Sequence, residues 1–279
     1  MTPDPYYVAA RRVLLDALED LADHRDAIIV VGAQAVYLRT GAANVGVAEY
    51  TTDGDLVIAS DVLAGSPLLE DVMSTRFDHA RRGPTGAEEP GVWTRSVDVD
   101  GERIEIPVDL IVPEGIAPPG GTRAARLGPH GKRAARKAPG LEAALIDNDV
   151  LLNEALDVQD RRSIASRVAG PTAMLIAKAH KINDRLAQEA RPDRLIDKDA
   201  SDVYRLMLTT EPERINEVVP TLLDDPRIGG PAQRGLEMLR GQFGARRAPG
   251  VEMAVRALRL GVPEERVRAV CVSFVAALA

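Results

Sequence analysis

The hydrophobic period of this chain changes once, near Gly170, and that change limits the folds open to it. Before Gly170, short apolar runs of strand length alternate with segments rich in Gly, Pro and charge. After it, apolar residues return at helical spacing in PTAMLIAKAHKINDRLAQ, DKDASDVYRLMLT, RINEVVPTLLD, GGPAQRGLEMLRGQF, VEMAVRALRLG and PEERVRAVCVSFVAALA. Pro171 suits the first turn of the first of these helices, where its missing N–H costs nothing. The expected fold class is α+β, with a mixed sheet flanked by helices over residues 1–168 and an all-helical domain over 169–279. No internal repeat is evident.

Within the first part, residues 5–24 read as an amphipathic helix with Val8, Leu14, Leu15, Leu18 and Leu21 on one face. The run AIIVV then reads as a strand ending at Gly32, followed by a short helix, AQAVYLRTG, closed by Gly41. AANVGVAEY is expected to be loop, DLVIA a strand and LLEDVMSTRF a helix. RRGPTGAEEPG is expected to be irregular. SVDVDGERIEIPVDLIVPEG reads as a hairpin turning at Asp100-Gly101. LEAALID and NDVLLNEALDV fit helical and strand pieces equally well.

The chain has 279 residues, enough for one large domain or two ordinary ones. A net charge of −7 argues against a protein that coats nucleic acid indiscriminately. The single cysteine, Cys271, rules out an internal disulfide and a Cys-rich metal site, and a reducing cytoplasm is the expected setting. MTPDPYYVAARR runs straight into a helix pattern and is not expected to be a signal peptide. The longest apolar stretches are too short to span a bilayer, so no membrane partner is expected. Charge is uneven, however. Between Ile116 and Gly140 lie Arg123, Arg126, Lys132, Arg133, Arg136 and Lys137, and no acidic residue. Such a loop suits an RNA backbone, or is simply a solvated Gly/Pro-rich segment; it carries no aromatic residue to stack on bases. His130, within it, is expected to be exposed.

Two carboxylates, Asp53 and Asp55, stand at the head of DLVIA. Residues i and i+2 of a strand point the same way, so these would project together and repel unless a proton or cation lies between them. Mg²⁺ and similar hard cations take carboxylate oxygens together with substrate phosphates. A third acid, Asp109, sits in the apolar strand IPVDLIV, where an unpaired charge is costly. The order is an apolar strand, the small pair Gly32-Ala33, a helix, Asp53-Gly54-Asp55, and then a later strand with Asp109. It resembles the nucleotidyltransferase superfamily of DNA polymerase β-like fold. The resemblance implies that Asp53, Asp55 and Asp109 bind Mg²⁺ or Mn²⁺, with Asp109 also the base toward the acceptor. It further implies that the backbone at Gly32 and Ala33 approaches the phosphates of an NTP at a helix N-terminus. Three features depart from the family pattern. Ala33 stands where a second Gly or Ser is usual, Gly54 lies between the acids, and the interval from Gly32 to Asp53 is long.

In the helical part, Lys178, Lys181 and Arg185 fall on one helix face, and Lys198-Asp199-Ala200-Ser201-Asp202 places two acids at i and i+3 on the next. Taken alone, such charges read as a solvated face or an interhelical ion pair. Together with the N-terminal motifs they resemble the AbiEii-type (MenT-like) toxin nucleotidyltransferases, over most of residues 25–210. That resemblance implies that Lys178 neutralises triphosphate charge, with Asp199 orienting it or touching the nucleotide and Asp202 in support. Lys181 and Arg185 would be outer phosphate contacts or surface charge. It also implies transfer of a nucleotide to the 3′ end of tRNA, contacted by Arg126, Lys132, Arg133, Arg136 and Lys137, and a cognate antitoxin as partner. Two other classes stay open: a nucleotidyltransferase acting on a small molecule or protein, and a non-catalytic nucleotide-binding member.

Overall fold

A computed structural model describes residues 3–41, 48–82, 86–187 and 197–279. It divides into two compact units: Met1–Leu38, Glu49–Ala138 and Asn148–Ala169 in one, and Arg39–Ala48, Pro139–Asp147 and Gly170–Ala279 in the other. Most of the expected loop AANVGVAEY, and positions 83–85 of the expected irregular segment, lie outside the described residues.

In the first unit, helix α1 (Pro5–Asp20) is started by Asp4, whose carboxylate accepts the Tyr6 N–H at 2.9 Å. The strands are β1 (Ile28–Val31), β2 (Gly54–Ile58), β3 (Asp78–Arg82), β4 (Ala87–Val99), β5 (Glu102–Pro113), β6 (Arg136–Ala138), β7 (Asn148–Glu154) and β8 (Ser163–Ala169), with α2 (Gly32–Thr40) after β1 and α3 (Leu69–Met73) after β2. They form one sheet in the order β3-β4-β5-β2-β1-β8-β7, with β6 paired to β5. β1 runs antiparallel to β2 and parallel to β8, and β2 runs parallel to β5, so the sheet is mixed. β1 is apolar and buried throughout, and β2 is so from Leu56 to Ile58, as strands covered on both faces require; Asp55 stands at the head of that run. α1 packs against β2, β4, β5 and β8, and its Val13, Leu14, Leu15 and Leu18 are buried.

β4 and β5 form the expected hairpin, with Val99 opposite Glu102 and both turn residues, Asp100 and Gly101, at positive φ. Elsewhere the fold departs from expectation. β4 reaches back to Ala87, so much of RRGPTGAEEPG is strand, stabilised by pairing with β3 rather than by local propensity. NDVLLNE is strand β7, and its partner β8 was not anticipated because polar Ser166 and Arg167 dilute its apolar pattern. The basic segment contains β6 and a short 3₁₀ turn at Gly128–His130.

The second unit holds α4 (Pro171–Leu186), α5 (Lys198–Thr209), α6 (Pro212–Asp224), α7 (Gly229–Phe243), α8 (Pro249–Leu258) and α9 (Glu264–Ala276). α4 packs on α5, α6 and α7, and α5 packs on α8 and α9. The first turn of α4 is capped from outside: Asp147 Oδ2 accepts the Ala173 N–H at 2.8 Å. Burial raises the Asp147 pKa, against that hydrogen bond. Among the described residues, no helix is long and apolar enough to cross a membrane.

Candidate active site

The parallel pairing of β2 with β5 sets Asp55 directly opposite Asp109. Residues paired in register share a face, so both carboxylates stand on one side of the sheet. Asp53 lies two residues before Asp55, just ahead of Gly54, the first residue of β2. The Asp55 carboxylate also lies against the start of α2. A Cβ added to Gly32, whose φ is +70°, would sit 2.0 Å from Asp55 Oδ2. Position 32 thus needs glycine twice, for its backbone angle and for the acid above it. The N-terminus of α2 meanwhile presents its positive dipole end to that acid.

A buried polar chain fixes the approach to β2. Gln34, on α2, donates through Nε2 to the Asp53 carbonyl at 3.2 Å and accepts from Arg11 Nε at 2.7 Å. Arg11 also donates to the Tyr7 hydroxyl at 2.9 Å and to the Glu154 carbonyl at 3.0 Å. Arg11 is 3% exposed and Gln34 1%. All these guanidinium acceptors are neutral. Thr51, fully buried, donates to Asp53 Oδ1 at 2.5 Å. Sequence reasoning missed Arg11 and Gln34, although both carry a signal: each is a polar residue within an otherwise apolar pattern.

Asp109 is engaged by Arg136, which donates to its Oδ2 from Nε at 3.1 Å and from a terminal nitrogen at 2.5 Å. Gly91 makes this contact possible. Its φ is +70°, and a Cβ there would lie 2.2 Å from the Arg136 backbone nitrogen, so only glycine lets β6 pass this close to β4. Of the other residues expected at RNA, Arg133 pairs with Glu88, and Lys137 donates to the Gly120 carbonyl at 3.1 Å. Arg126 and Lys132 are exposed. His130 is buried, contrary to expectation. Its Nδ1 accepts the Leu69 N–H at 3.3 Å, its ring meets His24 edge-on, and burial lowers its pKa.

In the helical unit, Lys178 of α4 donates to Asp199 Oδ1 at 2.8 Å and to Asp202 Oδ2 at 2.7 Å, both on α5. Arg185 lies 2.5 Å from Asp199 Oδ2, and Lys181 lies 3.5 Å from Oδ1. Burial opposes charge on Lys178, but the two carboxylates outweigh it and hold the ammonium pKa well above its ordinary value. Burial likewise opposes charge on Asp199, and Lys178, Lys181 and Arg185 reverse that, holding its pKa well below the usual carboxylate range. Asp202 is fully buried, and its Oδ1 finds no hydrogen-bond donor among the described residues. The cluster thus joins α4 to α5 with three cations against two acids.

Among the described residues, no three His, Cys, Asp or Glu side chains come together at metal-holding spacing. A hard cation needs less than that when a substrate is present, since Mg²⁺ takes one or two carboxylates plus phosphates and water. Asp53 and Asp55 are the carboxylates that would supply such oxygens, and the missing Cβ of Gly32 leaves room for the Asp55 carboxylate.

No protein-family model matches the chain, and no curated protein matches it. Among solved structures it is similar to an antigenic nucleotidyltransferase-like protein from Paracoccidioides brasiliensis, at 14% identity and a TM-score of 0.43, over 96% of this chain and 98% of that one. The functional reading therefore rests on the chain's own carboxylates and their surroundings.

Proposed function

We propose that this protein is a metal-dependent nucleotidyltransferase that moves a nucleoside monophosphate from an NTP to an acceptor hydroxyl. The observation that carries the reading is the in-register placement of Asp55 and Asp109 on adjacent parallel strands, with the Asp55 carboxylate seated over Gly32. Asp53 and Asp55 would hold the cation; Thr51 donates to the Asp53 carboxylate, and Gln34, itself held by Arg11, fixes the Asp53 backbone. A bound Mg²⁺ or Mn²⁺ would supply Lewis-acid stabilisation of the phosphoryl oxygens. Asp109 takes the proton of the acceptor hydroxyl as the hydroxyl oxygen bonds to the α-phosphorus and pyrophosphate departs, and Arg136, donating to Asp109 Oδ2, holds that carboxylate in place until then. Lys178, with Asp199 and Asp202 fixing its position, is assigned to triphosphate charge, and Lys181 to the edge of the same role.

The favoured acceptor is the 3′ end of tRNA, and the favoured biological role is the toxin of a toxin–antitoxin pair. Arg126 and Lys132, exposed in the basic segment, are the side chains best placed to meet an RNA backbone. A second reading, a non-catalytic nucleotide binder, is favoured by Ala33 and by the ion pair that already occupies Asp109. Incorporation of each labelled NTP into total tRNA, with Mg²⁺, separates the two. Label on RNA that is lost in Asp53→Ala/Asp55→Ala supports transfer; metal-dependent nucleotide binding without label supports the second reading.

A further inference from the structure

The two edges of the sheet are built differently. β3, at one end, reads Asp-His-Ala-Arg-Arg and has a register irregularity between His79 and Arg81. Charge and a bulge on an edge strand prevent it from pairing with another chain. β7, at the other end, reads Asn-Asp-Val-Leu-Leu-Asn-Glu and pairs with β8 without a break from Asn148 to Glu154. It has no Lys, Arg or Pro and no bulge. Among the described residues, no strand lies beyond it.

The exposed apolar side chains of β7 coincide with its outward backbone groups. Ala155 N–H donates to the Arg162 carbonyl, so odd-numbered residues of β7 bond to β8 and even-numbered ones face away. Consistently, the Glu154 carbonyl is free of β8 and accepts from Arg11. Val150 and Leu152 are therefore the outward-bonding residues, and each side chain is 61% exposed. They stand beside each other on one face of the strand.

From this edge we infer that the chain forms a two-fold dimer in solution through antiparallel pairing of β7 with β7 of a second copy, centred on Leu151. The sequence is self-complementary in that register. Val150 falls opposite Leu152 of the second copy, Asp149 opposite Asn153, and Asn148 opposite Glu154. No carboxylate meets a carboxylate, apolar residues meet apolar ones, and the outward N–H and C=O groups of Val150 and Leu152 bond across the axis. An isologous contact of this kind closes at two copies and removes the vulnerable edge.

Sedimentation equilibrium on the full chain, followed by cysteine cross-linking, tests this. The wild type is expected at twice the 30.0 kDa chain mass at tens of micromolar. Val150→Lys/Leu152→Lys is expected at the single-chain mass with an unchanged circular dichroism spectrum, since both positions are exposed. Arg81→Ala, on the other edge, leaves the dimer intact. Leu151→Cys places two thiols at a non-hydrogen-bonded cross-strand position, where backbone spacing suits a disulfide. Native Cys271 is buried, so mild oxidation should link this variant into a dimer, and Val158→Cys, 95% exposed in the β7–β8 turn, should not link. A wild type of single-chain mass throughout overturns the inference. So does a dimer that survives the lysine pair, or Leu151→Cys linking no faster than Val158→Cys.

Discussion

Replacing Lys178 by Met isolates the physics of the α4–α5 cluster. The change keeps the apolar stem and removes the ammonium. Asp199 would still have Lys181 and Arg185 within 3.5 Å, but Asp202, fully buried, would lose the Lys178 ammonium from its Oδ2 and, among the described residues, already has no donor for Oδ1. Leaving one member of a buried ion pair uncompensated costs roughly 3–5 kcal/mol. For a protein of 279 residues that corresponds to a fall in Tm of about 5–9 °C. Differential scanning fluorimetry at pH 7 reads it directly. Adding Asp202→Asn to Lys178→Met removes the stranded charge, and most of the loss should be recovered. The pH dependence has a defined sign. Lys178 is raised above its ordinary 10.5, so its contribution is full below that pH. Asp199 is depressed below 3.8, so its contribution is full above that pH and fades as acid titrates it. The wild-type contribution should therefore be flat between about pH 5 and 9 and fall below about pH 4. A Lys178→Met variant melting within about 2 °C of wild type at pH 7 would refute the reasoning.

Gly32→Ala combines a positive φ with a carbon placed on the Asp55 carboxylate. It should lower stability by about 1–3 kcal/mol in urea unfolding and abolish nucleotide transfer. Gln34→Leu unpairs Arg11 Nε and the Asp53 carbonyl inside the core, so it should cost about 2–4 kcal/mol by the same assay. Arg136→Ala releases Asp109. Because the pair is one-fifth exposed, stability should fall by no more than about 1 kcal/mol, while Mn²⁺ binding tightens as Asp109 becomes available as a ligand.

Periodicity alone carried much of the architecture. The helices after Gly170 have apolar faces at helical spacing, and each was recognisable because the residues of its buried face recur every three or four positions within its own segment. The β4–β5 hairpin was equally legible, since Asp100-Gly101 encodes its turn locally. What escaped was set by distant pairing. β8 is a strand because it lies between β1 and β7, and α4 takes its cap from Asp147, outside the helix. In the candidate site, the pattern of acids suggested proximity, but only the parallel register of β2 and β5 puts Asp55 opposite Asp109. The basic segment was legible as charge and not as structure. It reads as a solvated loop, whereas Arg136 is drawn onto Asp109 by a strand pairing that depends on Gly91. His130 was expected in solvent as a lone histidine in a Gly/Pro-rich basic loop, yet it is buried against the Leu69 N–H and beside His24.

The central claim is that the carboxylates at the mouth of β2 hold a divalent cation together with a nucleoside triphosphate. Its most direct test is Mn²⁺ titration followed by electron paramagnetic resonance, with and without NTP, in wild type and in Asp55→Asn. Wild type should bind Mn²⁺ more tightly in the presence of NTP, and Asp55→Asn should lose that gain while keeping its fold. Equal Mn²⁺ binding by the two proteins, with NTP present, would contradict the account.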